Sequence, residues 1–179
     1  MVIQRASPLD SDRLERLALR YVERFATTRG KLSSYLTRKL RERGWEGEGE
    51  PDPHAIAERM AELGYIDDAA YAEAKANAMI RRGLGARQIT GALKQAGVAE
   101  GDRGGAQTAI DSGAVSSALA FARRRRIGPF SEGVLDRPAR ERALAAMLRA
   151  GHGFDLSRRI LALEPGELFD PETLENGGS

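Results

Sequence analysis

The sequence predicts an all-α protein: an elongated, curved array of three tandem three-helix repeats, with about nine helices in all. Two observations lead to this prediction, since strand signals are nearly absent and one helical pattern recurs at a fixed period. The apolar residues of the first helix form a single stripe, namely Leu14, Leu17, Ala18, Tyr21, Val22 and Phe25. Because one three-helix unit buries little apolar surface, stacked units would cover the faces that each leaves exposed.

The recurring pattern is clearest in the middle helix of each unit, where an apolar face ends at a glycine. The first copy contains Leu36, Leu40, Gly44 and Trp45. The second copy, offset by 53 residues, contains Ile89, Leu93, Gly97 and Val98. The third, offset by a further 54, contains Ala143, Met147 and Gly151, then His152 and Gly153 before the apolar Phe154. These glycines are predicted to end the helices, and Trp45 to pack as Val98 does.

The predicted repeats span residues 12–66, 67–112 and 113–163, between an N-terminal tail (1–11) and an acidic C-terminal tail (164–179). The acidic tail is expected to be disordered because of its charge, its prolines and its final "NGGS". The segment "EGDRGGAQTAIDSG" is rich in glycine, which costs about 1 kcal/mol per interior helix position relative to alanine. We expect the helix there to be short or frayed.

The junction between the first two repeats reads "LGYIDDAAYA" and is very short. Gly64 is predicted to end one helix, and either Asp67 or Asp68 to cap the next by accepting its free N–H groups. A metal site at the two aspartates is disfavoured because no other ligands cluster with them. The junction therefore indicates two units held in a fixed relative orientation.

Composition excludes several classes of protein. The 179 residues include no cysteine, so neither a disulfide nor a thiolate zinc site is possible. No apolar run approaches 18 residues, and the N-terminus lacks the apolar core of a signal peptide. We expect a soluble, cytoplasmic monomer that needs no cofactor and no metal.

Charge is distributed in blocks, although the net charge is only +2. Residues 12–45 and 80–126 are basic, whereas residues 46–73 carry nine acids against one arginine. Basic residues gather at helix ends, and we call the following set the arginine track: Arg81, Arg82, Arg87, Arg123, Arg124, Arg125 and Arg126. Four consecutive helical residues span about 300° of the helix, so at least one of the last four must leave the solvated face. The track is predicted to bind a partner; the alternative is that it only complements the helix dipole and aids solubility.

Catalysis finds little support in the sequence. His54 and His152 lie in different repeats, and both are predicted to be surface loop residues. The pair Ser33–Ser34 has no base at a readable spacing. The segment "RRGLGAR" follows a helix rather than a strand, so it is not a phosphate-binding loop. We therefore expect a binding protein rather than an enzyme.

The stretch "LGYIDDAAYAEAKANAMIRRGLGARQITGALKQAGV" resembles the RecX family of bacterial regulators of the RecA recombinase. The matching residues are Gly64, Ile66, Asp67, Asp68, Tyr71, Ala72, Arg81, Arg82, Gly85, Ile89, Leu93, Gly97 and Val98. The flanking repeats fit as well, so the resemblance covers about residues 14–163. Two features depart from the family pattern, namely the long acidic loop over residues 46–52 and the glycine-rich segment after Val98.

The resemblance implies a curved helical protein that lodges in the groove of the RecA–DNA filament. It implies suppression of ATP hydrolysis and strand exchange, and so a role in regulating recombination, repair and the SOS response. The alternative function is direct, sequence-independent binding of single- or double-stranded DNA through phosphates, since arginines without an aromatic platform suit phosphates more than bases. A general helical scaffold for peptides is a third reading.

Overall fold

The computed structural model describes residues 7–174, which form nine α-helices and three short 3₁₀ turns. The helices are α1 Ser11–Arg24, α2 Arg29–Arg43, α3 Pro53–Glu62, α4 Asp68–Arg81, α5 Ala86–Gln95, α6 Gly104–Ser112, α7 Ala114–Arg125, α8 Arg137–Arg149 and α9 Phe154–Ala162. The turns are Glu100–Arg103, Gly128–Phe130 and Pro171–Leu174. Extended pairing in this part of the chain is limited to one isolated parallel bridge between Leu9 and Trp45. The prediction of an all-α fold is confirmed.

The helices pack into two compact units. The first comprises residues 7–71 and 94–102, and the second comprises residues 72–93 and 103–174. The division into three sequence repeats stays a prediction. No helix within residues 7–174 combines the length and the apolarity needed to cross a bilayer.

The core of the first unit lies between α1, α2 and α3. Its fully buried side chains include Leu14, Leu32 and Leu36. The predicted stripe on α1 supplies part of this core, but its last member does not. Phe25 follows the end of α1 in extended backbone and is 48% exposed. The stripe prediction is wrong at this position because the helix ends one residue earlier.

The first unit also uses residues that precede α1. Leu9 is completely buried, and its N–H donates to the carbonyl of Gly44 at 3.0 Å. Asp10 caps α1 by accepting from the N–H of Arg13 at 2.7 Å. Trp45 packs against this core, as predicted, but it is only half-buried, and its indole N–H donates to the Gly49 carbonyl at 2.9 Å.

The second unit has its core between α7, α8 and α9, where Ala118, Met147 and Ile160 are fully buried. The predicted disorder of the acidic tail is wrong for residues 164–174. Leu174 is 4% exposed within this core, and the ring of Phe169 meets that of Phe130 edge-on at 6.3 Å. These apolar side chains provide burial that the composition of the tail conceals. Residues 175–179 of the predicted tail lie outside the described residues.

The glycine-rich segment forms the 3₁₀ turn Glu100–Arg103 followed by α6. This helix is short, as expected, at nine residues, and it buries Ala106 and Ile110. Gly104 and Gly105 stand in its first turn rather than in its interior. The cost of glycine in a helix is the loss of conformational entropy and applies to interior positions, so glycines in the first turn oppose this helix less than its composition indicates.

The glycines predicted to end the three middle helices do so. Gly44 follows α2, Gly97 lies just after α5, and Gly151 lies just after α8, with φ angles of +82°, +71° and +94°. Side chains other than glycine rarely adopt such angles. The residue after each glycine is Trp45, Val98 or His152, and the last two are buried. The equivalent of Val98 is therefore His152 and not Phe154, which is 51% exposed.

Candidate partner-binding surface

The arginine track lies in the second unit, mostly at the ends of two helices. Arg81 is the last residue of α4, and Arg123–Arg125 end α7. Arg126 caps α7 in the left-handed conformation, with φ of 52°. All of these side chains are exposed. Their charges stand at the negative ends of the helix dipoles, which favours positive charge.

One hydrogen bond brings the two helix ends together. A guanidinium N–H of Arg124 donates to the main-chain carbonyl of Arg82. Arg124 therefore contacts the neighbouring helix end, although its side chain remains exposed like those of the other three arginines. The bond places the basic ends of α4 and α7 side by side.

The remaining arginines at these ends differ in how they are held. The guanidinium of Arg123 lies 4.7 Å from the ring centroid of Phe130, and that of Arg125 lies 5.8 Å from Phe121. Arg126 forms an ion pair with Glu132. Within residues 7–174 the other five arginines of the two helix ends form no ion pair with a carboxylate: Arg81, Arg82, Arg123, Arg124 and Arg125. Their charge is therefore available to a partner.

Arg87 has a different environment from the rest of the track. One of its guanidinium N–H groups donates to the Leu148 carbonyl at 2.6 Å. Next to it, the Gln88 amide donates to the Arg149 carbonyl at 2.8 Å, and the Gly85 N–H donates to the Ala150 carbonyl at 2.8 Å. The start of α5 is thereby joined to the end of α8, so Arg87 serves packing whatever else it binds.

His152 is a structural residue rather than the surface loop residue that the sequence predicted. It is 6% exposed, and its Nε2 lies 3.1 Å from the carbonyl oxygen of Gly83. Its ring also meets that of Phe121 at 5.5 Å. Burial lowers the pKa of His152, and the hydrogen bond to Gly83 opposes this only in part. His54 is on the surface, as predicted, with a side chain that is 76% exposed, but it lies in the first turn of α3 rather than in a loop.

The two aspartates of the junction have separate functions. Asp67 caps α4 by accepting from the N–H of Ala70 at 2.8 Å. Asp68 has a side chain that is only 3% exposed, and it accepts from the main-chain N–H of Arg29 at 3.0 Å and from its Nε at 2.9 Å. The same guanidinium also contacts Glu58 and Asp102. Hydrogen bonds to Asp68 and then Glu58 raise the pKa of Arg29, which fixes its charge.

Sequence reasoning missed this arginine entirely. Arg29 lies in "TTRGK", where nothing distinguishes it from the other basic residues, and its three carboxylate partners come from distant positions in the chain. The other junction residues are mostly packed: Ile66 joins the first core, Ala72 is completely buried, and the ring of Tyr71 lies 4.6 Å from the ammonium group of Lys31. The junction is a structural element.

Within residues 7–174, no group of three or more histidine, aspartate or glutamate side chains could hold a metal ion. The surface thus offers exposed guanidinium groups on a helical scaffold. Such groups bind carboxylates or phosphates through paired hydrogen bonds.

Comparison with known proteins matches residues 67–103 to the family model "RecX, second three-helix domain". Regulatory protein RecX of Myxococcus xanthus is 29% identical over 160 residues, which cover 85% of this chain and 86% of the relative. Regulatory protein RecX of Agrobacterium fabrum is 28% identical over 158 residues, covering 86% and 84%. The chain is thus similar to RecX proteins over most of its length, and residues 67–103 match a RecX domain.

A solved RecX structure has the same fold. The crystal structure of RecX from Lactobacillus salivarius superposes with a TM-score of 0.58 at 20% identity, over 84% of this chain and 93% of that one. The segment matched by the family model, residues 67–103, contains Asp67, Asp68, Arg81, Arg82 and Arg87. It therefore includes the second part of the junction and three of the seven arginines of the track.

Proposed function

We propose that this protein is a non-enzymatic regulator of the RecA recombinase. It binds in the groove of the RecA–DNA filament and suppresses ATP hydrolysis and strand exchange, and it thereby regulates DNA recombination and repair in the cytoplasm. The similarity to proteins named regulatory protein RecX supports the regulatory role. The observation that carries the site is the hydrogen bond between Arg124 and the Arg82 carbonyl, because it joins two basic helix ends into one exposed surface.

The proposed action depends on differential affinity rather than on chemistry. A helical protein that binds one geometry of a filament more tightly than another shifts the filament toward that geometry. The exposed guanidinium groups of Arg81, Arg82 and Arg123 supply the contacts, since they can bind carboxylates on the filament protein. No group in this mechanism has to transfer a proton or act as a nucleophile.

Direct, sequence-independent DNA binding is the second candidate, and the same exposed arginines favour it. The acidic block over residues 46–73 argues against continuous contact with DNA, but several of its acids are engaged within the first unit. Glu46 pairs with Arg13, and both Glu58 and Asp68 pair with Arg29. Their charge is therefore partly neutralised, so the acidic block opposes DNA binding less than its composition indicates.

The deciding experiment is DNA-dependent ATP hydrolysis by the cognate recombinase, with and without this protein at substoichiometric ratio. A regulator of the filament reduces the rate well below that of the recombinase alone. Salt dependence separates the two candidates, because phosphate binding weakens steeply with salt on any DNA. An unchanged rate at every ratio would contradict the proposal.

A further inference from the structure

Three aromatic side chains form a continuous row on the surface of the first unit. The rings of Tyr21 and Tyr35 stack with centroids 4.4 Å apart and planes inclined by 24°. Phe25 continues the row, with its ring centroid 5.2 Å from that of Tyr21 and inclined by 51°. The two tyrosines are half-buried against the core, whereas Phe25 lies outside the set that packs on it. Nearly half of Phe25 is open to solvent without a packing reason.

Cationic side chains surround this row. The guanidinium of Arg24 lies 5.4 Å from the Phe25 centroid, and that of Arg38 lies 5.7 Å from the Tyr35 centroid. Together they line an open groove of about 740 Å³, which we call the aromatic groove, formed by Leu17, Arg20, Tyr21, Glu23, Arg24, Phe25, Tyr35 and Arg38. Glu23 is the one acid among these eight residues.

The cations of the aromatic groove are largely unneutralised. Within residues 7–174, Arg20 and Arg24 form no ion pair, and Arg38 reaches Glu42 only at 3.7 Å. Glu42 is engaged more closely by Lys39, at 2.6 Å. The groove thus combines a partly open aromatic face with a local excess of positive charge.

We propose that the aromatic groove binds single-stranded nucleic acid, with a base stacked on Phe25 and the flanking phosphates held by Arg20, Arg24 and Arg38. A single strand offers a partner to both kinds of side chain in the groove, since unpaired bases stack on aromatic rings and phosphates pair with guanidinium groups. A duplex hides the faces of its bases, and an acidic peptide would leave Phe25 without a partner. The site is distinct from the arginine track and extends the proposed function by a base-binding contact.

The test measures binding of the full chain to a fluorescently labelled oligothymidine by anisotropy, without recombinase. The first comparison uses the unaltered protein and an abasic oligonucleotide of equal length. Stacking on Phe25 requires that the abasic strand bind more weakly, by roughly tenfold, because each stacked base contributes at this level. Equal affinity for the two strands would overturn the proposal without any variant.

The second comparison uses Phe25→Ala, with Phe154→Ala as the matched control. Phe154 is 51% exposed, and the guanidinium of Arg158 lies 5.7 Å from its ring centroid. The two substitutions therefore remove a similar exposed aromatic surface and a similar cation contact. Phe25→Ala should weaken binding to oligothymidine roughly tenfold and leave the abasic strand unaffected. Phe154→Ala should bind both strands as the unaltered protein does, and Phe25→Trp should retain full affinity.

The arginines provide a separate result. Arg20→Ala with Arg38→Ala should weaken binding to both strands, since phosphates are present in each, and should reduce the dependence on salt. Phe25→Ala that weakens both strands equally, or Phe154→Ala that weakens binding as much as Phe25→Ala, would overturn the proposal. So would polyglutamate that displaces the oligonucleotide at an equal concentration of charge, because the site would then select acidic chains. These results do not depend on recombinase inhibition.

Discussion

Gly85 and Gly151 approach each other so closely that a β-carbon on Gly85 would stand 2.3 Å from the carbonyl carbon of Gly151. The same arrangement occurs in the first unit, where a β-carbon on Gly30 would stand 2.7 Å from the Cα of Gly97. In each pair, a glycine at the start of one helix, α2 or α5, meets the glycine that follows a later helix, α5 or α8 respectively. The glycines therefore do more than end helices, because they also allow two backbone segments to touch in each unit.

We predict that Gly85→Ala lowers the free energy of unfolding by about 1–3 kcal/mol, because its methyl group must displace main-chain atoms. Gly91→Ala is the matched control, since Gly91 lies within α5, which Gly85 immediately precedes, and no neighbouring atom lies within 4 Å of the added β-carbon. It should stabilise the protein by about 0.5–1 kcal/mol. Chemical denaturation followed by circular dichroism measures both. Equal stability of the two variants would contradict the close approach.

Arg29→Ala should destabilise the first unit by about 2–3 kcal/mol, because hydrogen bonds to a charged group are lost and the buried carboxylate of Asp68 loses its partner. Arg29→Lys should recover only part of this, since one ammonium group cannot replace a planar guanidinium that reaches three carboxylates. The measurement is the denaturation midpoint of each variant.

The control for Arg29 is Arg59→Ala. Arg59 pairs with Glu15 at 3.2 Å, but the two side chains are 61% and 49% exposed. Exposed ion pairs contribute about 0–1 kcal/mol, so this variant should remain close to the unaltered protein. If Arg29→Ala lowered the free energy of unfolding no more than Arg59→Ala does, the ion pairs around Arg29 would not stabilise the fold.

Lowering the pH from about 7.5 to about 5.5 should destabilise the second unit through His152. Its pKa is lowered by burial, so the unfolded chain takes up a proton, near pH 6.5, before the folded chain does. The unfolded state then binds more protons than the folded state. The free energy of unfolding therefore decreases as the pH is lowered, by up to about 1.4 kcal/mol per pH unit for this group. The loss of stability should begin as the pH drops toward the pKa of His152 in the unfolded chain. It should end once the pH is below the lower pKa of His152 in the folded chain.

His152→Gln tests this directly. The glutamine amide can still donate toward the Gly83 carbonyl, but it does not titrate, so the contribution of His152 to the slope should vanish. His54→Gln retains His152 and should keep the dependence of the unaltered protein. A His152→Gln variant with the full slope would assign the pH dependence to other groups.

The sequence predicted best what local chemistry determines. Helix spacing and glycine stops depend on residues within a few positions of one another, and so does the helix cap, which the sequence narrowed to Asp67 or Asp68. The same local logic missed Arg29 and His152, whose partners are 29–73 and 69 positions away along the chain. For His152 a signal did exist, because the offset of 54 residues from Val98 indicates position 152 rather than Phe154.

The tail and the aromatic groove show a second limit. Average composition predicted disorder from residue 164 onward, but two apolar side chains of this segment, Phe169 and Leu174, pack against the core. In α1, periodicity assigned Phe25 to the core stripe. The helix instead ends at Arg24, and the backbone turns the last aromatic residue toward solvent beside arginines. Periodicity cannot reveal this, since it assumes that the helix continues.

The arginine track yields the prediction that bears most directly on function. Arg81→Ala with Arg82→Ala should raise the half-inhibitory concentration against the recombinase roughly tenfold to thirtyfold, because two contacts of about 1 kcal/mol each are lost. Folding should be preserved: Arg124 donates to the main-chain carbonyl of Arg82, which alanine retains. The control is the double variant Arg137→Ala with Arg142→Ala, which removes the same charge from α8, where both side chains are exposed. This variant should inhibit the recombinase as strongly as the unaltered protein does.

Two further measurements on the Arg81/Arg82 variant separate the candidate functions. If the track binds the filament protein, inhibition falls while affinity for naked DNA changes little. If it binds DNA, that affinity falls in parallel, and the slope of log affinity against log salt shrinks by about one unit per lost phosphate contact. We expect the first outcome, because arginines gathered at two helix ends suit carboxylates on a protein surface at least as well as a continuous line of phosphates. Full inhibition by the variant would place the binding surface elsewhere, and the basic residues Arg38, Lys39 and Arg41 of the first unit would be the next to replace.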